Sequence, residues 1–292
     1  MTLSLTRRAA LAGAASLPLV AAASSVPAGG HGGKAAMPNA RSFKLGGFGV
    51  TTLLDGSFPR DGVKDIFGSN VEQQDFDRVS AENFIPPNMA QFYFTPTLVD
   101  TGADLVLFDT GLGQGGIAAA LADAGVTPDA VTVVVLTHMH PDHIGGLMTE
   151  GAPTFPNARY VTGRVEYDTW LTTGSNRITD LMAKNVTPLA DKMTFIEDGQ
   201  SVVSGVTAMA AFGHTPGHMT YMLESDDAQL VLTADLANHY IWPTASRRKV
   251  LGMLATDKVP MIGYHMPFPA AGFVEARGDG FRFVPVGYQL MG

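Results

Sequence analysis

The sequence predicts a layered α/β sandwich. Three observations carry that expectation. Short apolar runs rich in β-branched residues, above all 131–136, read as buried strands. Segments with helical spacing at 117–124, 163–171 and 247–256 fall between such runs. The 33 Gly and 18 Pro supply the turns that many short elements need.

In chain order, residues 50–54 form the first expected strand. The stretch 58–87 is expected to be irregular, with a short helix over 73–80. Residues 91–100 and 105–108 read as two strands joined by the turn Thr101-Gly102-Ala103-Asp104. A helix over 117–124 is stopped by Gly125. Residues 131–136 are too short for a helix and too apolar for a loop, which makes them a buried strand. A helix over 163–171 carries Val165 and Trp170 among its bulky positions. Residues 202–212 hold one or two strands, and 221–224 and 229–233 form a hairpin across Ser225-Asp226-Asp227. A helix over 247–256 and a strand over 281–286 complete the pattern. No short-period repeat or linker interrupts 43–292, which is expected to be one domain.

Composition narrows the function. Of 292 residues, 46% are apolar and 16% charged, so the chain can bury a large core and is not disordered as a whole. A formal charge of −8 argues against a general nucleic-acid binder, which needs a basic surface. It also opposes attraction to anionic membranes. With no Cys there is no disulfide, thiolate ligand or cysteine nucleophile, so any metal site is built from His, Asp and Glu.

The N-terminus reads as an address. Thr6-Arg7-Arg8-Ala9-Ala10-Leu11 leads into an Ala- and Leu-rich run ending at Ala21-Ala22-Ala23. A basic start, a short apolar stretch and small residues at its end make a secretory signal over 1–23, too short to stay as a membrane anchor. The paired arginines resemble a twin-arginine export signal, with Ala10 where that signal often carries Phe. A periplasmic or secreted protein is expected, with 24–42 as a flexible Gly/Pro-rich leader.

The strongest chemical signal is Thr137-His138-Met139-His140-Pro141-Asp142-His143, directly after the strand ending at Leu136. His138 and His140 stand two apart, so in extended chain both face one ion. The turn after Pro141 can send Asp142 and His143 toward a second ion, and Gly145-Gly146 allows close backbone packing. Further ligand types end apolar segments: His214 in Gly213-His214-Thr215-Pro216-Gly217-His218, Asp235 after Leu230-Val231-Leu232-Thr233-Ala234, and His265 after Met261-Ile262-Gly263-Tyr264. Strand ends are where α/β folds gather active sites.

On these residues the chain resembles the metallo-β-lactamase superfamily of binuclear hydrolases, from about residue 43 to the C-terminus. Within it the chain looks closest to the secreted methyl parathion hydrolase and lactonase branch. Phe108-Asp109-Thr110-Gly111, Phe155-Pro156-Asn157-Ala158, Ala234-Asp235-Leu236 and Arg282-Phe283-Val284-Pro285-Val286 add to the match. The resemblance implies a four-layer αββα sandwich with the site at one edge. It implies that His138, His140 and His214 bind one metal, that Asp142, His143 and His265 bind a second, and that Asp235 bridges them. Ligands of this kind suit Zn²⁺, with Mn²⁺, Co²⁺ or Fe²⁺ as alternatives. His218 would support the site without binding metal, and Asp109 would brace its loop.

The resemblance further implies that a hydroxide held between the metals attacks a carbonyl or phosphoryl centre. Asp142 and Asp235 are the candidate catalytic carboxylates, Asp142 orienting the nucleophile or taking a proton. Phe92, Phe94, Trp170 and Phe268 are aromatic candidates for a pocket wall, with core packing the better reading for Phe94. Trp170 stands where the parathion-hydrolase branch places a pocket tryptophan. An apolar wall favours hydrophobic lactones, esters or phosphotriesters. Two departures stand out. Asn238 occupies the substrate-facing position where acyl-homoserine lactonases carry a tyrosine, with Tyr240 two residues on, and the stretch 235–247 is short for the branch. A glyoxalase-II-like thioesterase is the second enzyme reading, since the segment 213–218 resembles that branch too, but no basic cluster awaits an anionic thiol. A non-catalytic metal-binding protein is the third; no ligand position is missing to support it. The resemblance also implies a homodimer.

Overall fold

The computed structural model describes residues 38–69, 71–237, 240–241 and 245–286. Its centre is the strand Val133–Leu136, whose four side chains are at most 1% exposed. It pairs in parallel with Leu105–Phe108 on one side and Arg159–Gly163 on the other. A parallel strand covered on both faces needs such a continuous apolar run. Because side chains alternate, Val133 and Val135 enter one core and Val134 and Leu136 another.

Among the described residues the strands form two large sheets. The first runs in the order Ala40–Leu45, Phe48–Leu53, Thr97–Asp100, Leu105–Phe108, Val133–Leu136, Arg159–Gly163 and Met193–Ile196. The second runs Ser201–Val203, Val206–Ala210, Met219–Ser225, Ala228–Ala234, Met261–Gly263, Ala271–Arg277, Gly280–Pro285 and Tyr240–Ile241. Val50, Val99, Val106 and Val161 of the first sheet share one core with Val206, Ala208 and Leu223 of the second. Phe108 and Tyr221 meet there with ring centroids 5.2 Å apart. On the far side of the first sheet the helices Gly116–Asp123, Arg164–Thr172 and Arg177–Asn185 bring Ile117, Leu121, Tyr167 and Met182 against Leu107, Val134 and Tyr160. The helix Ala245–Asp257 covers the second sheet through Val250, Leu251 and Leu254. The result is the expected αββα sandwich.

Several local expectations are corrected. The run 91–100 is two strands, because the chain changes partners at Pro96: Met89–Phe94 pairs with Gly56–Asp61 in a separate ribbon, and Thr97–Asp100 joins the first sheet. The stretch 58–87 is therefore less irregular than its composition suggests, since it also holds the helix Val63–Phe67. The leader expected to run to residue 42 ends earlier, because Ala40, Arg41 and Ser42 pair with Leu53, Thr52 and Thr51. The helix Arg177–Asn185 was not anticipated. Asn176 starts it, accepting from the backbone of Ile178 and Thr179 while Thr179 accepts from the Asn176 N–H.

The topology gathers ligand loops. Leu105–Phe108 and Val133–Leu136 are parallel neighbours, so the loops following both emerge at the same end of the sheet. Ala228–Ala234 and Met261–Gly263 are parallel neighbours in the second sheet and deliver Asp235 and His265 together.

Candidate metal centre

The loop after Val133–Leu136 turns into a one-turn helix, Pro141–Ile144. Proline suits the first helical position because the N–H it lacks would have no partner there. Gly145 and Gly146 follow because the segment 110–112 lies on them: a Cβ on Gly146 would sit 2.1 Å from the Thr110 carbonyl oxygen. Thr110 donates from both its N–H and its hydroxyl to the His143 carbonyl, each at 2.8 Å. Asp109 and Ala234, the residue before Asp235, hold φ of 61° and 45°. Side chains other than glycine adopt that region at a cost, and such positions cluster at functional sites.

Two groups of potential ligands result: His138, His140, His214 and Asp235, and Asp142, His143 and His265. The donor atoms within each group lie within 4.8 Å of one another. In the first, His140 Nδ1 lies 3.0 Å from His214 Nε2. In the second, His265 Nε2 lies 3.3 Å from Asp142 Oδ2. Asp235 joins them, with Oδ2 3.2 Å from His214 Nε2 and 3.1 Å from His265 Nε2, and Oδ1 3.3 Å from His143 Nε2. All seven residues expected from the sequence are brought together, in the grouping expected for them.

Three of the imidazoles are aimed by their other nitrogen. His143 donates from Nδ1 to Asp109 Oδ2 at 2.8 Å, and His265 donates from Nδ1 to the Tyr93 carbonyl at 2.8 Å. Thr137 donates its hydroxyl to Asp109 and its oxygen lies 3.1 Å from His138 Nδ1. Asp109 also accepts the Thr137 N–H, so it braces the loop as expected and orients His143 as well. His218 accepts the Asp235 N–H at 3.2 Å through Nε2, a supporting role.

The cluster fits divalent cations. His138 Nε2, His143 Nε2 and Asp235 Oδ1 are buried and make no hydrogen bond. Buried polar atoms left unpaired cost about 1–3 kcal/mol each. Nitrogen lone pairs gathered with carboxylate oxygens are what such cations bind.

Charge divides the two groups. Burial, with His143 beside it, holds His138 well below the usual imidazole range. Burial and His214 bring His140 down to about 4, and burial brings His218 to about 3. Burial pulls His143 and His265 the same way, but carboxylates override it. Asp109, Asp235 and Asp142 hold His143 well above its ordinary value, and Asp235 and Asp142 push His265 up to about 10. Burial would raise both carboxylates too, yet His143 holds Asp142, and His265 with His143 hold Asp235, below the usual range.

The aromatic candidates separate. Phe92 and Phe94 are buried, with ring centroids 5.7 and 5.2 Å from His265. Phe94 packs as a core residue against Tyr264, while Phe92 also faces an open groove. That groove, of about 900 Å³, has His265 in its wall and is mostly apolar, with Val63, Phe67, Phe76 and Val79. Trp170 is half-buried; its indole N–H is bound to Glu166 and its ring packs on the helix-side core. The role the structure gives it is a brace. Phe268 is half-buried three residues beyond His265. Asn238 lies outside the described residues.

Two residues were not anticipated. Tyr264 packs against His143, ring centroids 4.0 Å apart and tilted by 32°, and donates its hydroxyl to the Asp142 carbonyl at 2.5 Å. Glu166 is fully buried between the His138–His140 and His214 loops. Its one sequence signal was an acid four residues before Trp170, on the same helical face.

Comparison with known proteins agrees with this geometry. The family model described as the metallo-beta-lactamase superfamily matches residues 95–271. The N-acyl homoserine lactonase AiiA of Bacillus thuringiensis subsp. kurstaki is 30% identical over 112 residues, 38% of this chain and 40% of that protein. The match thus spans about two fifths of the curated relative's length. Among solved structures, the dizinc quorum-quenching lactonase AidC, in complex with a product N-hexanoyl-L-homoserine, superposes with a TM-score of 0.78 at 25% identity, covering 85% of this chain and 98% of that one. The hydrolase AbOPH of the beta lactamase superfamily superposes at 0.76 and 22% identity, covering 86% and 98%; at that identity the likeness speaks for the fold.

Proposed function

The chain belongs to the metallo-beta-lactamase superfamily, and from that premise we propose that it is an exported, metal-dependent hydrolase of hydrophobic lactones or related esters, with organophosphate triesters as a second substrate class. The observation that carries the reading is the pair of ligand groups joined by Asp235, with three buried donor atoms unpaired, beside an apolar groove. The similarity to lactonases supports the lactone class. Two divalent cations, most simply Zn²⁺, would polarise the substrate oxygen and make water acidic enough to attack at neutral pH.

The chain's own residues do the rest. His138, His140 and His214 would hold one cation and Asp142, His143 and His265 the other, with Asp235 within reach of both groups. Asp142 has its side chain 20% exposed, against 5% for Asp235, so it is the carboxylate placed to meet a proton at the substrate side. Phe92 and the groove beyond His265 receive the apolar part of the substrate and exclude water from it. Export rests on Arg7-Arg8 and the short apolar run after them.

The test is kcat/KM of the full chain, loaded with Zn²⁺ or Mn²⁺, for an aryl lactone against a methyl phosphotriester. A lactone preference of about 10²-fold, roughly 2.7 kcal/mol in transition-state binding, supports a lactonase. The reverse ratio makes it a phosphotriesterase. Bound metal with no turnover of either overturns the lactonase and phosphotriesterase readings and leaves the thioesterase and then the non-catalytic one.

A further inference from the structure

Glu166 is the buried acid that the proposed chemistry does not use. Its residue is 0% exposed. Among the described residues it is paired with no cation; four hydrogen-bond donors surround it instead. Oε1 accepts the Met139 N–H at 2.9 Å and the Trp170 indole N–H at 2.8 Å. Oε2 accepts the Thr215 hydroxyl at 2.7 Å and the Gly217 N–H at 2.9 Å. Those donors occupy the lone-pair sites that a carboxylate offers.

Three of the donors belong to two ligand loops far apart in sequence. Met139 lies between His138 and His140. Thr215 follows His214, in a turn closed by the Gly213 N–H on the Thr215 carbonyl at 3.0 Å. The approach is tight: a Cβ on Gly217 would lie 2.1 Å from the Glu166 nitrogen. Trp170, one turn on along the helix, fixes the carboxylate from the far side. The second group is held by other means, through Asp109, Tyr93 and Tyr264.

We infer that Glu166 is a positioning residue that clamps the His138–His140 loop to the His214 loop, and thereby sets the metal affinity of the first ligand group alone. This rests on the cluster being a two-metal centre. A neutral amide at the same volume breaks the clamp at one point. Glu166→Gln must turn its NH₂ toward one pair of donors. The Thr215 side tolerates it best, because a hydroxyl can rotate to accept, but the Gly217 N–H then loses its acceptor and the His214 loop loosens.

The experiment titrates Co²⁺ into the chelator-treated full chain on two backgrounds. His265→Ala leaves the first ligand group, and His214→Ala leaves the second. Glu166→Gln is expected to weaken Co²⁺ binding about 10–100-fold on the first background and less than about twofold on the second. Thr215→Val, which removes one donor without changing volume, is expected to act in the same direction more weakly, and serves if Glu166→Gln fails to fold. Saturating Co²⁺ should restore most of the kcat of the otherwise wild-type Glu166→Gln chain, which a general loss of structure would not allow. Equal weakening on both backgrounds, or none, overturns the inference. Failure of the wild-type chain to bind Co²⁺ overturns the two-metal reading itself.

Discussion

The Asp109 carboxylate lies 2.8 Å from His143 Nδ1, and this contact decides which nitrogen of His143 faces the cluster. Nδ1 gives its proton to Asp109, so Nε2 is turned toward Asp142 and Asp235. The same carboxylate takes the N–H and hydroxyl of Thr137, the residue before His138. One acid thus sets the start of the motif and its last ligand. Asp109→Asn can serve only part of these donors. It is expected to lower metal affinity at the Asp142–His143–His265 group about 10–100-fold, read by titration, and to destabilise the metal-free chain by about 1–3 kcal/mol, read by urea unfolding.

Asp235 reaches both ligand groups, so its loss should not resemble the loss of a single imidazole. Asp235→Ala is expected to cut turnover by orders of magnitude and to impair both sites. His140→Ala should cut turnover comparably while leaving one cation bound. Metal content by emission spectroscopy and far-UV circular dichroism, measured beside activity, check this. Full activity in either variant would sink the assignment.

Cations that bind only the folded chain stabilise it by mass action. At a free concentration near a thousand times Kd the gain is about 4 kcal/mol, which in a chain of this size moves Tm by roughly 10 °C. A chelator should therefore lower Tm by about that amount and abolish hydrolysis, and added Zn²⁺ should restore both. An unchanged Tm would mean that the cluster holds no metal.

Protonation separates the two groups. His140, brought down to about 4, and His138, also held low, keep their lone pairs free throughout the neutral range. His265, pushed up to about 10, and His143, also raised, carry protons there that a cation must displace. Apparent affinity at the Asp142–His143–His265 group should thus rise with pH through 6–9, by up to about two decades per unit for two released protons. Affinity at the other group, where His138 and His140 have no proton to give up in that range, should depend less steeply on pH. Titrations at several pH values on the His214→Ala and His265→Ala backgrounds read the two slopes; equal slopes would refute the division.

Much of the site was legible because its densest part is local. His138, His140, Asp142 and His143 lie within six residues at the end of an apolar strand, and no core-packing pattern explains four such groups there. Gly145 and Gly146 signalled a close approach, though not that the chain passing over them was Thr110. His214, Asp235 and His265 could each be placed at a strand end, but their assembly came only from the resemblance. Glu166 and Tyr264 were not legible. Glu166 acts through residues 27 to 51 positions away, and Tyr264 through a carbonyl 122 positions away. For Trp170 the sequence shows that a tryptophan is there, not that its N–H is bound to Glu166.

By itself the sequence determined the alternation of buried strands and helices, the exclusion of thiolate chemistry, and the ligand types available. These depend on periodicity and composition, which are properties of neighbours along the chain. Tertiary structure decided which potential ligands lie within reach of one another, which nitrogen His143 and His265 turn toward the cluster, and which contacts hold two loops together. Those follow from strand order and from side chains meeting across 30 to 120 residues, distances over which no local pattern carries information.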